Sequence, residues 1–339
     1  MVNYSLPGIT GPRGAGLGNE VIPWGKAFLA ARALDLKLVD PPWWLNKRPY
    51  GRELQTSVLR TAEYLALRAM PTISIDSAKV ESLGSWDYFD AMMKLKADQH
   101  SLLRSRPVLL HSSGMDGGYL AIRKARRFLA ARLLYSRGVD PLATVGNEAS
   151  VRIGVHVRAG DFSAGELEPG VFNVQSPTDW YVETITSLVQ RLGGLVQVLV
   201  ASQGPIVDLD DRDGIAEIRQ LKGTSVEDLS VLASCDVIVP SISSFSLLAI
   251  FLSDALYIWP AQHLHDVDGW RDIWGQDPRQ VSGPTARSRS IAESKELNVF
   301  RGIPRSGGEP WPDWFIDQIK IRAHLRRQEQ DLIFYGVTR

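Results

Sequence analysis

Apolar and polar positions alternate most legibly in the second half of the chain. Val151 to Val157 is a short β-rich run with His156 near its end, followed by a glycine-containing loop. Ser176-Pro177-Thr178-Asp179 has the composition of a helix start, with Ser176 as cap and Pro177 at the first helical position. Val182, Ile185, Leu188, Val189 and Leu192 then recur at helical spacing until Gly193-Gly194 stops the helix. Val196 to Ala201 has strand length and is mostly apolar, and a polar segment follows over 208–222. Ser225-Val226-Glu227-Asp228 repeats the cap pattern and starts a helix through Ser234. Val237 to Val239 predicts a buried strand, Ser241 to Ser244 a turn, Leu247 to Leu252 a helix and Leu256 to Trp259 another strand. Strands and helices in alternation with short connections predict a parallel sheet wound with helices, whose ligands bind at the carboxyl ends of the strands.

The first half is less regular. Gly14 to Asn19 is a glycine-rich turn, and a helix is predicted over Glu20 to Leu34, with Asn19 as cap and Pro23 tolerated in its first turn. Lys37 to Asp40 reads as a strand, and Leu54 to Arg68 and Gly118 to Ser136 as helices. Residues 142–150 are the expected linker. Pro304 to Pro312 breaks the chain before a basic helix over Trp314 to Gln328. The expected layout is an N-terminal domain over 1–148, a Rossmann-like domain over 149–300 and a helical tail over 301–339.

Composition narrows the class. A chain of 339 residues exceeds what one compact core usually holds, so two domains are expected. With 44% hydrophobic and 22% charged residues, wholesale disorder is excluded. Acidic and basic residues balance at 38 each, so no global charge attracts nucleic acid or an anionic surface, and recognition by charge must be local. The single cysteine, Cys235, excludes an internal disulfide and favours a cytoplasmic location. The most apolar run, Phe245 to Pro260, is interrupted by Ser253 and Asp254 and falls short of the roughly 20 residues a membrane span needs. It predicts a buried helix and strand. Met1 to Pro12 has no basic segment leading into an apolar one, so no signal peptide is expected.

Three segments carry candidate chemistry. In Gly154-Val155-His156-Val157-Arg158-Ala159-Gly160-Asp161, a buried strand delivers His156, Arg158 and Asp161 to its carboxyl end. The Arg158 guanidinium is a planar fork suited to phosphate oxygens, and Asp161 can hold it or act on a hydroxyl. The same residues also fit a structural ion pair beside a satisfied histidine. Ser241-Ile242-Ser243-Ser244-Phe245-Ser246 lies between a strand and a helix, where backbone N–H groups and hydroxyls suit an anion, although taken alone plain helix capping is the better explanation. Gly14-Ala15-Gly16-Leu17-Gly18-Asn19-Glu20 lacks both the dinucleotide spacing and the Gly-Lys-Ser/Thr of a phosphate loop, and no strand is evident before it.

Taken in order, G-L-G-N-E, H-V-R-A-G-D and S-x-S-S-F-S resemble the bacterial and animal α-1,2-fucosyltransferases and, more distantly, the α-1,6 and protein O-fucosyltransferases. The resemblance covers residues 14–34 and 151–260. It implies a GT-B fold, with two Rossmann-like domains facing a cleft, and an inverting, metal-independent transfer of a sugar, L-fucose foremost, from a GDP-sugar to a hydroxyl of a glycan or glycosylated small molecule. By the same resemblance Arg158 meets the β-phosphate of GDP, and His156 with Ser243, Ser244, Phe245 and Ser246 completes the pyrophosphate site. Gly16, Gly18 and Asn19 join the donor site. Inversion requires a general base, for which Asp161 and Glu20 are the candidates. The chain departs from the family at Ala159, where an arginine is usual, at Glu20 for Gln, and at Leu247-Leu248 for a tryptophan pair.

Weaker signals support two rivals. Asp208-Leu209-Asp210-Asp211 contains the D-x-D by which metal-using UDP-sugar transferases hold a divalent ion, and His263, His265, Asp266 and Asp268 form a second acidic and imidazole cluster. Both also read as ordinary solvated loops. The loss of the second arginine at 159 suits a binding protein that no longer transfers. Trp43, Trp44 and Tyr50 could stack on an acceptor sugar or belong to the core. Lys320, Arg322, His324, Arg326 and Arg327 read as a solvated helix face.

Overall fold

The computed structural model describes residues 2–9, 15–54, 56–75, 77–83, 87–98, 108–115, 117–135, 151–158, 174–202, 213–253, 255–261, 265–267, 270–272 and 302–328. These fall into two compact units, one ending at Leu129 and one beginning at Ala130. Each is α/β and built on its own parallel sheet. The expected linker at 142–150 lies outside the described residues.

The first unit holds β1 (Tyr4–Pro7), β2 (Lys37–Leu38), β3 (Thr72–Ile75) and β4 (Leu109–Ser112), all parallel, in the order β2-β1-β4-β3. Helices α1 (Leu17–Leu34) and α3 (Tyr88–Asp98) pack together, with α1 against β1 and β4. Helix α2 (Val58–Arg68) presents Tyr64 and Leu67 to a cluster with Leu6, Val39 and Leu109. Three details differ from expectation. A strand does precede the glycine loop, but β1 has four residues and ends in proline, too short to show a period. Helix α1 begins at Leu17 with Gly16 as its cap, so Asn19 sits inside the first turn and makes no cap. The helix expected over Gly118 to Ser136 is interrupted at Ile122, whose backbone (φ −106°, ψ 16°) leaves the helical region.

The second unit contains β5 (Val151–Val157), α4 (Thr178–Leu192), β6 (Val196–Ser202), β7 (Ile215–Gln220), α5 (Ser225–Ala233), β8 (Val237–Val239), α6 (Ser244–Leu252), β9 (Leu256–Pro260), a short antiparallel pair β10 (His265–Val267) and β11 (Trp270–Asp272), β12 (Gly302–Arg305) and α7 (Asp313–Gln328). Its six-stranded sheet has the order β12-β9-β8-β5-β6-β7. The chain winds outward from β5 through β6 to β7, returns to the other side of β5 at β8, and continues through β9 to β12. That is the Rossmann order, and its direction reverses between β5 and β8.

Strands β5, β8 and β9 are buried along their whole length, as a sheet covered on both faces requires. On one face Ile153 and Val155 meet Ile185 and Leu188 of α4 and Phe315 and Ile319 of α7. On the other, Leu199 packs with Val231 and Cys235. Gly154 points to this second face, where a Cβ would lie 2.9 Å from Cys235 Sγ, so only glycine admits the α5 end this close. Burial pushes the Cys235 thiol up to about 12, leaving it a packing group.

The polar stretch after β6 contains an edge strand, β7, whose half-exposed positions give no apolar signal. Residues 302–328, expected as a tail, supply the outermost strand and a core helix: β12 pairs with β9, and Phe315, Ile316 and Ile319 are buried. Within that helix Arg326 is buried rather than solvated. The cap of α4 is Pro177 with no side-chain bond, and the cap of α5 is Thr224, one residue earlier than expected, in a reciprocal box with Glu227. No helix among the described residues is long and apolar enough to cross a membrane.

Candidate functional site

Two of the three marked segments meet at the switch point. The β5–β8 ladder runs from Ile153↔Val237 to Val155↔Val239 and stops where Pro240, which has no N–H, enters the chain. His156 and Arg158 lie at the carboxyl end of β5, and the Ser241 to Ser246 turn lies beyond β8. His156 Nδ1 is 2.6 Å from Ser246 Oγ, 2.9 Å from Ser241 Oγ and 3.4 Å from Ser243 Oγ. The hydroxyls also contact one another: Ser241 Oγ lies 3.0 Å from Ser243 Oγ and 3.2 Å from Ser246 Oγ. Ser243 caps α6 by accepting from Ser246 N at 3.2 Å, and Ser241 N donates to Ser246 Oγ at 3.1 Å. The Phe245 ring is tilted against His156 at 5.0 Å. One cluster thus serves both readings of the serines, as helix cap and as polar site.

The electrostatics follow from burial. His156 is 5% exposed, and desolvation, with the Arg158 charge as a second cause, pushes its imidazole down to about 3. It is therefore neutral at physiological pH. With Ser241 N–H assigned as donor to Ser246 Oγ, the Ser246 proton goes to Nδ1 and the ring proton sits on Nε2; this is an assignment from the network. Among the described residues of this cluster the formal charge is the guanidinium of Arg158, half-buried one residue past β5. The start of α6 adds the partial positive charge of a helix N-terminus. A neutral, pre-oriented set of donors beside one cation suits an anion with several oxygens.

No protein-family model matches the chain, and no curated protein matches it. Among solved structures it is similar to a crystal structure of POFUT1 in complex with GDP-fucose, at 13% identity and a TM-score of 0.43 over 74% of this chain and 94% of that one. A structure of POFUT1 in complex with GDP gives 13% identity and a TM-score of 0.42, with the same coverage. NodZ alpha-1,6-fucosyltransferase soaked with GDP-fucose gives 14% and 0.31 over 75% of this chain and 94% of that one. All three likenesses are distant.

The remaining candidates are dispersed. Gly16, Gly18, Asn19 and Glu20 all lie at the start of α1 in the first unit. Glu20 is 2% exposed, and its Oε1 accepts from Ala15 N at 2.8 Å, while Gly18 O accepts from Tyr119 Oη at 2.7 Å. Asp161 and the acidic run 208–211 lie outside the described residues, as do His263 and Asp268. Among the described residues no group of three or more His, Cys, Asp or Glu side chains gathers as a metal site would. Trp43 and Tyr50 are core residues in edge-to-face contact at 6.1 Å, whereas Trp44 is 47% exposed.

Sequence reasoning left two participants out of the site. Ser241 lay within the serine segment but was not assigned to the cluster, although it touches His156. Tyr181 is fully buried, and its hydroxyl lies 3.2 Å from His156 O and 3.5 Å from Pro240 O. These are the two carbonyls that follow the last ladder pair, where Pro240 removes a donor. The signal available in the sequence was that proline directly after an apolar strand.

Proposed function

We propose that this chain is an inverting, fucosyltransferase-like glycosyltransferase whose second unit binds the diphosphate of a GDP-sugar, GDP-fucose foremost, at the ends of β5 and β8. The observation that carries the reading is the convergence of His156, Ser241, Ser243 and Ser246 beside Arg158 at the switch point of a Rossmann sheet. The order G-L-G-N-E, H-V-R-A-G-D, S-x-S-S-F-S along the chain supports the choice of donor. In a GT-B arrangement the first unit takes the acceptor, a glycan or glycosylated small molecule.

In this reaction an acceptor oxygen attacks the sugar's anomeric carbon, and the bond from that carbon to the β-phosphate oxygen breaks. The electron pair leaves with GDP, so negative charge grows on the diphosphate. Arg158 offers two parallel N–H donors to that charge, and the hydroxyl cluster, His156 Nε2–H and the α6 start supply fixed dipoles that need no reorganisation. The acceptor proton passes to a carboxylate. Asp161 is the base we assign, because the Glu20 carboxylate is enclosed and already accepts from its own loop.

Calorimetric titration with GDP, UDP, ADP and CMP, with and without EDTA, tests the reading. GDP-selective binding that survives EDTA is expected, and Arg158→Ala should weaken it by about 1.5–3 kcal/mol, roughly tenfold to over a hundredfold, with the melting temperature little changed. A preference for UDP that EDTA abolishes would overturn it in favour of a metal-using transferase. GDP binding without donor hydrolysis or transfer would favour a binding protein, for which Ala159 in place of arginine is the observation.

A further inference from the structure

The first unit carries an apolar tip on its surface, preceded in the chain by exposed basic residues. Val58 and Leu59, the first two residues of α2, are 76% and 83% exposed. Neither is buried by its own unit, although the rest of α2 packs through Thr61, Tyr64 and Leu67. Trp44, 47% exposed, is held beside this helix start by the bond from its Nε1 to Thr61 Oγ1 at 2.5 Å, and Leu45 follows at 39% exposure. Leu65, two turns after Val58 on the same side of α2, is 49% exposed. From Trp44 to Glu63 the chain bears Lys47, Arg48, Arg52 and Arg60 against Glu53 and Glu63; Arg60 pairs with Asp40 and Glu63 with Lys37, each at 2.6 Å, and Lys47, Arg48 and Arg52 are exposed. A protein of zero net charge has placed a local positive excess here.

We infer that this face docks on an anionic lipid bilayer, with Trp44, Val58 and Leu59 entering the boundary between headgroups and acyl chains and Lys47, Arg48 and Arg52 meeting lipid phosphates. Three features select a bilayer over another protein. Two adjacent aliphatic side chains at a helix start are more than three-quarters exposed, which suits insertion into a deformable surface. The Trp44 indole has its N–H satisfied and is about half exposed, and tryptophan with an apolar body and a bonded polar end is common at membrane interfaces. The exposed basic residues lie in the segment that leads from Trp44 to the tip, as in peripheral segments that combine apolar insertion with attraction to anionic lipid. Helix α7 offers a contrast: its exposed Trp314, Ile321 and Leu325 share a side with Asp317, and Asp313 precedes Trp314. Acids beside the tryptophan suit an anionic surface poorly. The inference does not depend on the GDP-sugar reading.

The test is co-sedimentation of the full chain with vesicles of phosphatidylcholine alone and of equal parts phosphatidylcholine and phosphatidylglycerol. Binding to the anionic vesicles, weakened by salt, is expected, with a blue shift of tryptophan emission that Trp44→Ala removes. The pair Val58→Glu with Leu59→Glu should lower partitioning at least about tenfold, as should Arg48→Glu with Arg52→Glu. Glutamates in the first turn suit the helix dipole, so circular dichroism should show the fold intact. The pair Ile321→Ser with Leu325→Ser should leave partitioning unchanged. Failure of the unaltered chain to bind anionic vesicles would overturn the inference. So would binding lost only in the α7 variant, or a dimer that the Val58/Leu59 variant dissociates while vesicle binding persists.

Discussion

The adjacent strands β5 and β8 carry a buried polar cluster at each end, and the two clusters are built on opposite principles. At the amino ends, Asp236 accepts from Arg326 Nε and Nη2 at 3.0 and 2.9 Å and from Arg152 N at 2.8 Å. The Arg326 and Asp236 side chains are 4% and 0% exposed. At the carboxyl ends the buried groups are a neutral imidazole and the hydroxyls of Ser241 and Ser246, while Ser243 and the cation, Arg158, are half-buried. Two buried opposite charges satisfy each other and pin α7 to the sheet. Neutral donors cost less to bury, and held in place by one another they face an arriving charge without reorganising. The contrast suggests where to look for function in a wound sheet: the buried ion pair is architecture, and the neutral cluster is the site we propose.

The strongest way to test the contrast is at the charged end. Asp236→Ala leaves Arg326 buried without its carboxylate and should lower unfolding free energy by about 3–5 kcal/mol, measured by urea denaturation. GDP affinity of the folded variant should be unchanged. A loss of GDP affinity beyond the unfolded fraction would show the two ends to be one functional unit. The neutral end should respond to acid instead. The His156 pKa falls from 6.5 to about 3 on folding, so the unfolded chain binds the extra proton between those values. The stability that neutral His156 contributes is complete above about 6.5 and is lost as pH drops toward 3, at about 1.4 kcal/mol per pH unit. Melting curves across that window should therefore be flatter in His156→Gln than in the unaltered chain. Parallel curves would mean that His156 is not buried neutral.

The second unit was legible because its central strands are short apolar blocks bounded by turn residues, so β5, β6, β8 and β9 stood out, and Gly193 in the left-handed region (φ 67°) ended α4 where expected. What escaped had a physical reason in each case. Edge strand β7 is half-exposed along its length and reads as a polar loop. Strand β12 runs into the segment that reads as a chain break from Pro304, and its Gly302, Pro304 and Arg305 disguise it. Arg326 looks like any surface arginine until Asp236, ninety positions earlier in the chain, is known to face it. The site was half legible. His156, Arg158 and the serines are visible as strand-end residues, but their meeting depends on β5 and β8 being neighbours. Strand order is a property of the whole sheet, and local pattern does not contain it. In the first unit β1 is too short to show any period, so the helix start at Leu17 was displaced toward the next polar residue.

Smaller perturbations sharpen the comparison within the neutral end itself. Tyr181→Phe removes the hydroxyl that faces the carbonyls of His156 and Pro240, and should cost about 1–3 kcal/mol of stability, since buried carbonyls lose a donor. If Tyr181 also positions the site, GDP binding at fixed folded fraction should weaken, which a purely structural tyrosine would not produce. The finest test separates the two roles of one serine. Ser243 caps α6 and lies 3.4 Å from His156 Nδ1. Ser243→Ala should lower stability by about 1 kcal/mol through the lost cap. Ser243→Asp restores a capping oxygen and should recover that stability, while placing a negative charge where the diphosphate of GDP is proposed to sit. Recovered stability with abolished GDP binding is the expected pair of results, read by thermal melting and by titration. Recovered stability with GDP binding intact would reduce the serine cluster to a helix cap and remove the feature that distinguishes this end of the sheet from the other.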